Sequence, residues 1–377
     1  MAGTKKSKRS EPRNPVLPEE MVANILCWLP GTSLVRFRCV CKTWQSIITD
    51  PHFIKTQIHC SQIMAMKKGS SLMITTEATY YNRPRFASIS FQHYLHLPEH
   101  YTVIGSCNGI LFLRNYVCCY LWNPATMQSK ELPKCPEING KALNYNFQTQ
   151  VAFGFDALSD SYKVLRFICP DKFKPNVVPI VQLYSTDINS WKEIKVHDES
   201  ISQIICGLNR KLGPVINGVL YMGHNGHLIS FDLHTEAFTA LLFPKSKIVK
   251  SEILDFEGSV AVVFESKKKR SPSLNPGDGP DSPTGLWTLG YNLHGERYWI
   301  KKFDINIRSV RSYLGGGLLY GKNKKKILYN YRDNEFKPFP RLAKKPEAVL
   351  RYTETLASVE GFERSVLFVS KVYPQVE

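Results

Sequence analysis

The chain has 377 residues, 43% of them apolar, so it is long enough for two or three domains and apolar enough to form a sizeable core. It contains no run of about 18 apolar residues, and its charged N-terminus lacks the apolar stretch of a secretory signal. We therefore expect a protein of the cytoplasm, the nucleus or both. The formal net charge of +17 favours an acidic partner, whether nucleic acid, an anionic surface or an acidic protein.

Lysine and arginine are concentrated in three short runs, at 5–9, 266–271 and 322–326. Such runs are usually solvated, and the first is open to two interpretations, a nuclear localisation signal and a mobile basic tail. No signature of a nucleic-acid-binding fold accompanies the charge, so we expect no specific nucleic-acid partner. The ten cysteines lack the paired C-x-x-C spacing of zinc sites, and we expect free thiols in a reducing compartment.

The first predicted elements are three short helices near the N-terminus. Pro18 suits the first position of a helix, and the two glutamates that follow suit a first turn, where the helix dipole favours anions. Pro30-Gly31 ends this helix, and Thr32 or Ser33 is expected to cap the second. The third is predicted to carry Val40, Trp44, Ile47 and Ile48 and to end before the Asp-Pro dipeptide at 50–51.

These helices carry more apolar side chains than a unit of about 40 residues can bury by itself. Trp44, in the stretch VCKTWQSII, is one of them. Two interpretations follow: the excess apolar surface docks on the rest of the chain, or a partner protein covers it.

The stretch LPEEMVANILCWLPGTSLVRFRCVCKTW resembles an F-box in the order and spacing of its Leu-Pro, Ile-Leu, Leu-Pro and Ser-Leu pairs. The resemblance implies a three-helix unit that binds a Skp-type adaptor and, through it, the cullin and RING subunits of an SCF-type (Skp–cullin–F-box) ubiquitin ligase. Trp28 departs from the pattern, because such motifs often carry a polar or basic residue there. The residues implied to bind the adaptor are Leu17, Pro18, Ile25, Leu26, Leu29, Pro30, Leu34, Val40, Cys41, Lys42 and Trp44.

A repeated pattern runs through the remaining residues: a strand ending in an aromatic residue, a polar turn, and a second aromatic residue seven positions later. Because Asp, Asn, Gly and His fill the intervening positions, each copy predicts a β-hairpin whose aromatic residues flank the turn. A related segment, LWNPATMQSKELP, lacks the second aromatic residue. The four pairs are Tyr184/Trp191, Phe231/Phe238, Tyr291/Tyr298 and Tyr329/Phe336.

Glycine-containing strands precede several of these hairpins, as in CNGILFL, INGVLYM, FEGSVAVVF and GGGLLYG. Glycine followed by alternating apolar residues is typical of a turn into a buried strand. The unit is then four short strands over roughly 40 to 60 residues, which is the signature of a propeller blade. The aromatic spacing resembles a kelch repeat, although the double glycine of a kelch blade is mostly missing.

The segments IGSCNGILFL, LWNPAT, FGFDALSDSYKVLRF, LYSTDINSWKEI and INGVLYM resemble, in this order, the F-box-associated domain of plant F-box proteins. We accordingly divide the chain into a basic tail at 1–14, an F-box at 15–58, a connector or first-blade strands at 59–100, and an F-box-associated β-propeller at 101–375. Residues 267–285, rich in Pro, Gly and Ser, are predicted to form a mobile loop.

Two groups of histidines are the candidates for metal binding in the sequence. His93, His96 and His100 lie in a segment broken by proline, and His224 and His227 lie in the turn-like stretch GHNGH, so both groups are interpreted as loop residues. Phosphate-binding, nucleophile-elbow and zinc-protease motifs are missing from the sequence. We expect no catalytic, cofactor-binding or metal-binding residues, and no cofactor.

The resemblances therefore predict a mainly β fold: a short helical F-box followed by a kelch-like β-propeller. They imply a non-catalytic adaptor of an SCF-type E3 ubiquitin ligase, in which the propeller recruits a target protein, possibly one with an acidic surface, for ubiquitination. Two alternatives stay open. One is a propeller that binds protein, glycan or nucleic acid outside a ligase, and the other is a propeller enzyme.

Overall fold

The protein is described here from a computed structural model. The described residues are 17–68, 72–76, 87–88, 94–96, 101–115, 118–136, 148–169, 178–207, 212–224, 226–243, 250–265, 284–305, 310–314, 317–322, 325–332, 335–338, 346–365 and 369–371. The predicted basic tail at 1–14 and most of the predicted loop at 267–285 lie outside these ranges. So do His93, His100 and the side chain of His96.

Four helices near the N-terminus precede the strands, and a fifth lies among them. Their bounds are α1 Glu19–Leu26, α2 Gly31–Phe37, α3 Lys42–Thr49, α4 Pro51–Lys68 and α5 Glu199–Gly207. The third helix ends where the sequence predicted, because Asp50 leaves the helical conformation and its carboxylate accepts a hydrogen bond from the Phe53 backbone N–H at 2.9 Å, starting α4. Residues 59–68, predicted as a connector or as strands, are the second half of α4.

The rest of the described chain is mainly β, as predicted. The strands are β1 Leu72–Thr76, β2 Ala87–Ser88, β3 Tyr94–His96, β4 Thr102–Cys107, β5 Ile110–Arg114, β6 Cys119–Asn123, β7 Gln128–Glu131, β8 Gln148–Asp156, β9 Ser161–Cys169, β10 Ile180–Ser185, β11 Ser190–Ile194, β12 Val215–Ile216, β13 Val219–His224, β14 His227–Asp232, β15 Phe238–Leu242, β16 Lys250–Phe256, β17 Ser259–Glu265, β18 Thr284–Tyr291, β19 Arg297–Ile305, β20 Val310–Leu314, β21 Gly317–Lys322, β22 Lys325–Asn330, β23 Glu335–Pro338, β24 Pro346–Arg351, β25 Glu363–Arg364 and β26 Val369–Lys371.

Consecutive strands pair into antiparallel sheets that follow one another along the chain. Strands β8–β11, β12–β15, β16–β19 and β20–β23 each form a four-stranded sheet, and β4–β7 form another, to which β25 adds a fifth strand. A three-stranded sheet combines β1 and β2 with the late strand β24, and β3 pairs with β26. Neighbouring sheets meet along their first strands, β4 beside β8 and β16 beside β20, while β24 lies beside β4. The described strands therefore bring both ends of the β region together, as the closure of a propeller requires.

The predicted aromatic pairs flank hairpin turns. Tyr184 lies directly opposite Trp191, Phe231 opposite Phe238, and Tyr329 opposite Phe336, so these three hairpins are confirmed. In the fourth pair the register is shifted by one residue, and Tyr298 faces Gly290 instead of Tyr291. The predicted turns into buried strands are also present, because Asn and Gly at 108–109 and at 217–218 both adopt positive φ, the conformation of a two-residue hairpin turn.

The main core lies between neighbouring sheets. One cluster joins Leu165 and Val181 of the β8–β11 sheet to Met222 and Phe231 of the β12–β15 sheet, with Ile205 of α5 packed against both. Such a core forms only when successive sheets stack, so each blade depends on its neighbours for stability.

Candidate functional site: an uncovered face of the N-terminal helices

One side of α1 carries large apolar residues that no other described segment of the chain covers. Leu17 precedes the N-cap residue Pro18, and Met21 and Ile25 are spaced four apart and therefore lie in a line along the helix. Their exposed fractions are 53%, 52% and 56%. The adjacent side of α1 is in the core, with Leu26 only 2% exposed. This helix is thus apolar on two sides, and only one of them is buried.

Two more exposed apolar side chains lie in the turns that follow α1 and α2. Trp28 is 46% exposed and Val40 is 59% exposed. We call Leu17, Met21, Ile25, Trp28 and Val40 the N-terminal face. Burying a large apolar side chain contributes about 1.5–3 kcal/mol, so a protein that covered this face would gain substantial binding energy. Exposed apolar groups of this kind often mark interaction surfaces.

The structure separates the eleven residues predicted to bind an adaptor into three groups. Leu26 and Leu34 are 2% and 0% exposed, so direct contact with a partner does not fit their position; they belong to the core of the helical unit. Leu29 and Trp44 are half-buried. The exposed members are Leu17, Pro18, Ile25, Pro30, Val40, Cys41 and Lys42.

Trp44 is partly a core residue and partly a surface residue. Its ring packs edge-on against Phe37, with the centroids 5.5 Å apart, while part of it faces solvent. Its backbone N–H donates to the Cys41 Sγ at 3.5 Å, which makes Cys41 the N-cap of α3. The sequence placed Val40 on this helix, but the helix begins at Lys42, and Val40 lies in the preceding turn.

A segment from the other end of the chain completes the core of the helical unit. We call residues 352–359, which lie between β24 and β25, the C-terminal strap. Leu356 is 1% exposed and packs in one cluster with Leu26, Leu34 and Ile48. Part of the apolar excess seen in the sequence is therefore covered by the chain itself, and part stays exposed. The interpretation that the excess docks on the rest of the chain is confirmed for the side that the strap covers, and the exposed side is open to a partner.

Buried polar groups fix the strap against the helices. Gln57 of α4 is 0% exposed, and its Oε1 accepts a hydrogen bond from the Leu356 backbone N–H at 3.0 Å. Its Nε2 donates to the Leu29 carbonyl oxygen at 3.3 Å and to Ser61 Oγ at 2.8 Å. One side chain of α4 thus links the turn after α1 to the strap, and a change at Gln57 would leave buried groups without partners.

The strap also supplies the cap of α2. The predicted cap at Thr32 or Ser33 is wrong, because Pro30 occupies the N-cap position and no local side chain caps the helix. Glu354 instead accepts hydrogen bonds at Oε2 from the Thr32 backbone N–H at 3.3 Å and from Thr32 Oγ1 at 2.8 Å. A carboxylate at a helix N-terminus also interacts favourably with the helix dipole.

Helix α4 rests on one end of the propeller. Gln62 Nε2 donates to Asn108 Oδ1 at 2.8 Å, and Lys55 Nζ lies 2.6 Å from Asp160 Oδ2. Asn108 and Asp160 both lie in the turn between the first and second strands of their sheets. In an antiparallel sheet these turns lie at the opposite end from the connection between the second and third strands. The helices therefore occupy one end of the propeller and leave the other end uncovered by them.

Sequence reasoning missed Met21, Trp28 and the strap as parts of this site. Met21 had a signal, because it is four residues from both Leu17 and Ile25 on the helix surface. Trp28 was noted only as a departure from the motif. The strap had no signal, since its contacts with α2 and α4 join residues that are more than 290 positions apart, as in the pair Gln57 and Leu356.

Within the described ranges, no group of three or more His, Cys, Asp or Glu side chains is arranged to hold a metal ion. His224 and His227 face each other across a hairpin turn, as the turn-like sequence predicted. In the same part of the chain, no helix is both long enough and apolar enough to cross a membrane.

Comparison with known families agrees with this two-part arrangement. Residues 15–56 match the F-box domain, and residues 62–303 match the F-box associated beta propeller domain. The second match alone covers more than half of the chain, so the chain belongs to the family of plant F-box proteins with an F-box-associated β-propeller. An F-box joined to such a propeller supports a role as a substrate adaptor, and F-box proteins of this kind are typically non-catalytic.

Curated relatives cover most of the chain at low identity. An F-box protein of Arabidopsis thaliana is 26% identical over 279 residues, which is 69% of this chain and 67% of the relative. F-box protein CPR1 of the same plant is 25% identical over 365 residues, 87% of this chain and 83% of the relative. Among solved structures, TolB from Acinetobacter baumannii covers 74% of this chain and 66% of its own, with 10% identity and a TM-score of 0.36, too low to support a conclusion.

Proposed function

We propose that the protein is the substrate-recognition subunit of an SCF-type E3 ubiquitin ligase. A Skp-type adaptor binds the N-terminal face and connects the chain to cullin and RING subunits. The observation that carries this proposal is the line of exposed apolar side chains at Leu17, Met21 and Ile25, with Trp28 beyond it. No other segment of the described chain packs over that line, whereas the F-box match begins at residue 15 and includes all of it.

The propeller holds the target protein, and we place the target site at the end away from α4. Two contacts, Lys55 with Asp160 and Gln62 with Asn108, fix α4 at the opposite end. Loops on a rigid scaffold commonly carry recognition. Binding both the target and the adaptor raises the effective concentration of target lysines near the ubiquitin-loaded enzyme, without bond chemistry by this chain. The net charge of +17 favours a target with an acidic surface. We place this assembly in the cytoplasm, the nucleus or both.

Replacing Ile25 with aspartate is expected to weaken adaptor binding by about tenfold or more, equivalent to about 1.4 kcal/mol. The reason is that Ile25 is 56% exposed within the apolar line, so a charge there would be buried by the partner without a counter-ion. The measurement is the affinity of the full chain for a recombinant Skp-type adaptor by calorimetry, at low and high salt. The contact is mainly apolar, so affinity should change little with salt.

Leu158→Asp is the matched control, because Leu158 is 77% exposed in a propeller turn outside the N-terminal face. It should leave adaptor affinity unchanged. Equal binding by wild type and Ile25→Asp would show that the adaptor uses another surface. A wild-type chain that binds no Skp-type adaptor would contradict the ligase proposal and favour a propeller that acts outside a ligase. Binding that falls steeply with salt would instead indicate a mainly electrostatic partner.

A further inference from the structure

The fourth strand of each described four-stranded sheet has one edge that no neighbouring strand of that sheet covers. Proteins usually protect such an edge with charged residues, prolines, a shift in register or a covering segment. The β4–β7 sheet is protected by the chain itself, because β25 pairs with β7. Strand β19 has a shift in its register with β18. The charged residues and the proline on the other fourth strands are Lys192 and Glu193 in β11, Lys301 and Lys302 in β19, and Glu335, Lys337 and Pro338 in β23.

Strand β15 is the exception among these described fourth strands. Its sequence, FTALL, contains no charged residue and no proline, and it pairs with β14 without a shift in register. No other described strand pairs with its second edge. Thr239 and Ala240 are exposed, and Leu242 is 66% exposed. The edge of β15 is therefore open in the part of the chain that the structure describes.

Hydrogen bonds at the two ends of β15 show which of its backbone groups point outward. The Asp232 N–H donates to the Ala237 carbonyl at 3.1 Å before β15, and the Phe243 N–H donates to the Gly226 carbonyl at 2.9 Å after it. Positions that bond to the partner strand alternate with positions that do not in an antiparallel pair. The residues at 238, 240 and 242 therefore direct their N–H and C=O groups away from β14.

The last of these outward groups is already used by the next sheet. The Leu242 carbonyl accepts a hydrogen bond from Trp299 Nε1 of β19 at 2.9 Å, which agrees with its outward direction. The outward N–H groups of 238, 240 and 242 and the carbonyls of 238 and 240 are left for an added strand. Such a strand gains affinity from main-chain hydrogen bonds, whatever its sequence.

A cation without a described carboxylate partner lies beside this edge. Arg297, the first residue of β19, is exposed, and its Nη1 donates to Thr239 Oγ1 at 3.0 Å and to Ser230 Oγ at 3.3 Å. The ion pairs among the described residues do not include Arg297. Two neutral hydroxyl groups thus hold the guanidinium next to β15. Its charge is available to a carboxylate, the group that arginine binds most strongly.

This charge decides between two occupants of the edge. A second copy of the chain could pair its own β15 with this one. It would, however, bring a second Arg297 and another net charge of +17 to the contact, and like charges repel. A segment that carries a carboxylate would instead neutralise Arg297. The charge therefore favours an acidic partner over self-association.

We propose that the edge of β15 binds an extended acidic segment of another protein as an added β-strand. Successive side chains of a strand point to opposite faces of a sheet. The segment accordingly places apolar side chains on the face of Ala240 and Leu242, and a carboxylate on the face of Thr239, near Arg297. Because β15 lies outside the N-terminal face, this contact is independent of adaptor binding.

The affinity of the full-length chain for short peptides, measured by fluorescence anisotropy, tests the acidic preference. One set of dye-labelled peptides, about seven residues long, alternates valine with glutamate or threonine, and a matched set has lysine in place of glutamate. We expect the best glutamate peptide to bind about tenfold or more tightly than its lysine counterpart. Arg297→Gln should weaken this binding about fivefold or more, whereas Lys302→Gln, at an exposed position on the same strand, should not. Equal affinity for both sets, or no binding by either, would contradict the proposal.

Hydrogen exchange locates the contact in the wild-type chain. The best glutamate peptide should slow exchange at the outward amides of Ala240 and Leu242 and leave that of Leu241, already bonded to β14, nearly unchanged. Ala240→Pro should weaken peptide binding about fivefold or more, because it removes an outward donor without removing a bond to β14. Slower exchange confined to other strands would overturn the proposal. So would a homodimer in sedimentation that Ala240→Pro dissociates, since the occupant would then be a second copy.

Discussion

Replacing Leu356 with alanine is expected to weaken adaptor binding by about tenfold or more, although Leu356 is not part of the F-box sequence and is not exposed. Leu356 is 1% exposed and fills the core formed by Leu26, Leu34 and Ile48. Removing its side chain leaves a cavity that costs about 2–5 kcal/mol. This loss of stability affects the F-box helices. An adaptor that binds only their folded arrangement then loses affinity in proportion to the fraction of molecules that keep this arrangement.

Val359→Ala provides the matched comparison within the same strap. Val359 is 8% exposed, but it packs in a propeller cluster with Ile110, Phe112 and Leu121. This variant should lower the melting temperature of the propeller and leave adaptor affinity near that of wild type. Hydrogen exchange separates the two effects, because Leu356→Ala should increase exchange in α1–α3 and Val359→Ala should not.

An unchanged adaptor affinity in Leu356→Ala, with unchanged exchange in α1–α3, would mean that the F-box core does not depend on the strap. Weaker adaptor binding and faster exchange in α1–α3 would instead show that truncating the C-terminus damages the F-box. A chain that ends before residue 352 would then lack part of its F-box core, even though every residue of the F-box match at 15–56 is present.

The residues that contact only local neighbours were the most predictable from sequence. The end of α3 at the Asp-Pro dipeptide, the Asn-Gly turns, and the facing pairs Tyr184/Trp191 and Phe231/Phe238 all follow from short-range patterns. The exposed line on α1 was predicted in part, because Leu17 and Ile25 lie in the F-box motif. The same motif includes Leu34, which is 0% exposed in the core of the helical unit, since a motif does not distinguish an apolar residue that faces a partner from one that faces the core.

The contacts made by the strap could not be predicted in this way. Glu354 caps a helix that lies 322 positions earlier, and this partnership exists only because the end of the chain returns to the first sheets. Strand β9 presents a similar difficulty. All but the last of its residues are buried, Lys163 and Arg166 among them, so the alternation of polar and apolar residues that marks an exposed strand face is lost.

Replacing Lys163 with methionine is expected to destabilise the propeller by about 3–5 kcal/mol, because it leaves a buried carboxylate without its cation. Lys163 Nζ lies 3.1 Å from Asp156 Oδ2, and their side chains are 6% and 3% exposed. The same nitrogen donates to the Leu233 carbonyl oxygen at 2.6 Å, so it also joins the β8–β11 sheet to the next sheet. The measurement is the free energy of unfolding in urea, with Lys55→Met as the control. Lys55 pairs with Asp160 at 2.6 Å on the surface, with 65% and 58% exposure, so its loss should cost at most about 1 kcal/mol.

The pH dependence of the stability difference between wild type and Lys163→Met shows whether the ion pair with Asp156 causes it. Burial raises the pKa of Asp156, but hydrogen bonds from Ser159, Lys163 and the Leu158 backbone N–H outweigh it and hold this pKa below its usual value in the folded protein. A carboxyl group with a depressed folded-state pKa stabilises the fold above its unfolded pKa of about 3.9, and this contribution is lost as the pH falls towards the folded value. The stability difference between wild type and Lys163→Met should therefore be largest above about pH 5 and should shrink at lower pH. A difference that stays constant from neutral to acidic pH would show that Lys163 stabilises the propeller through packing and not through Asp156.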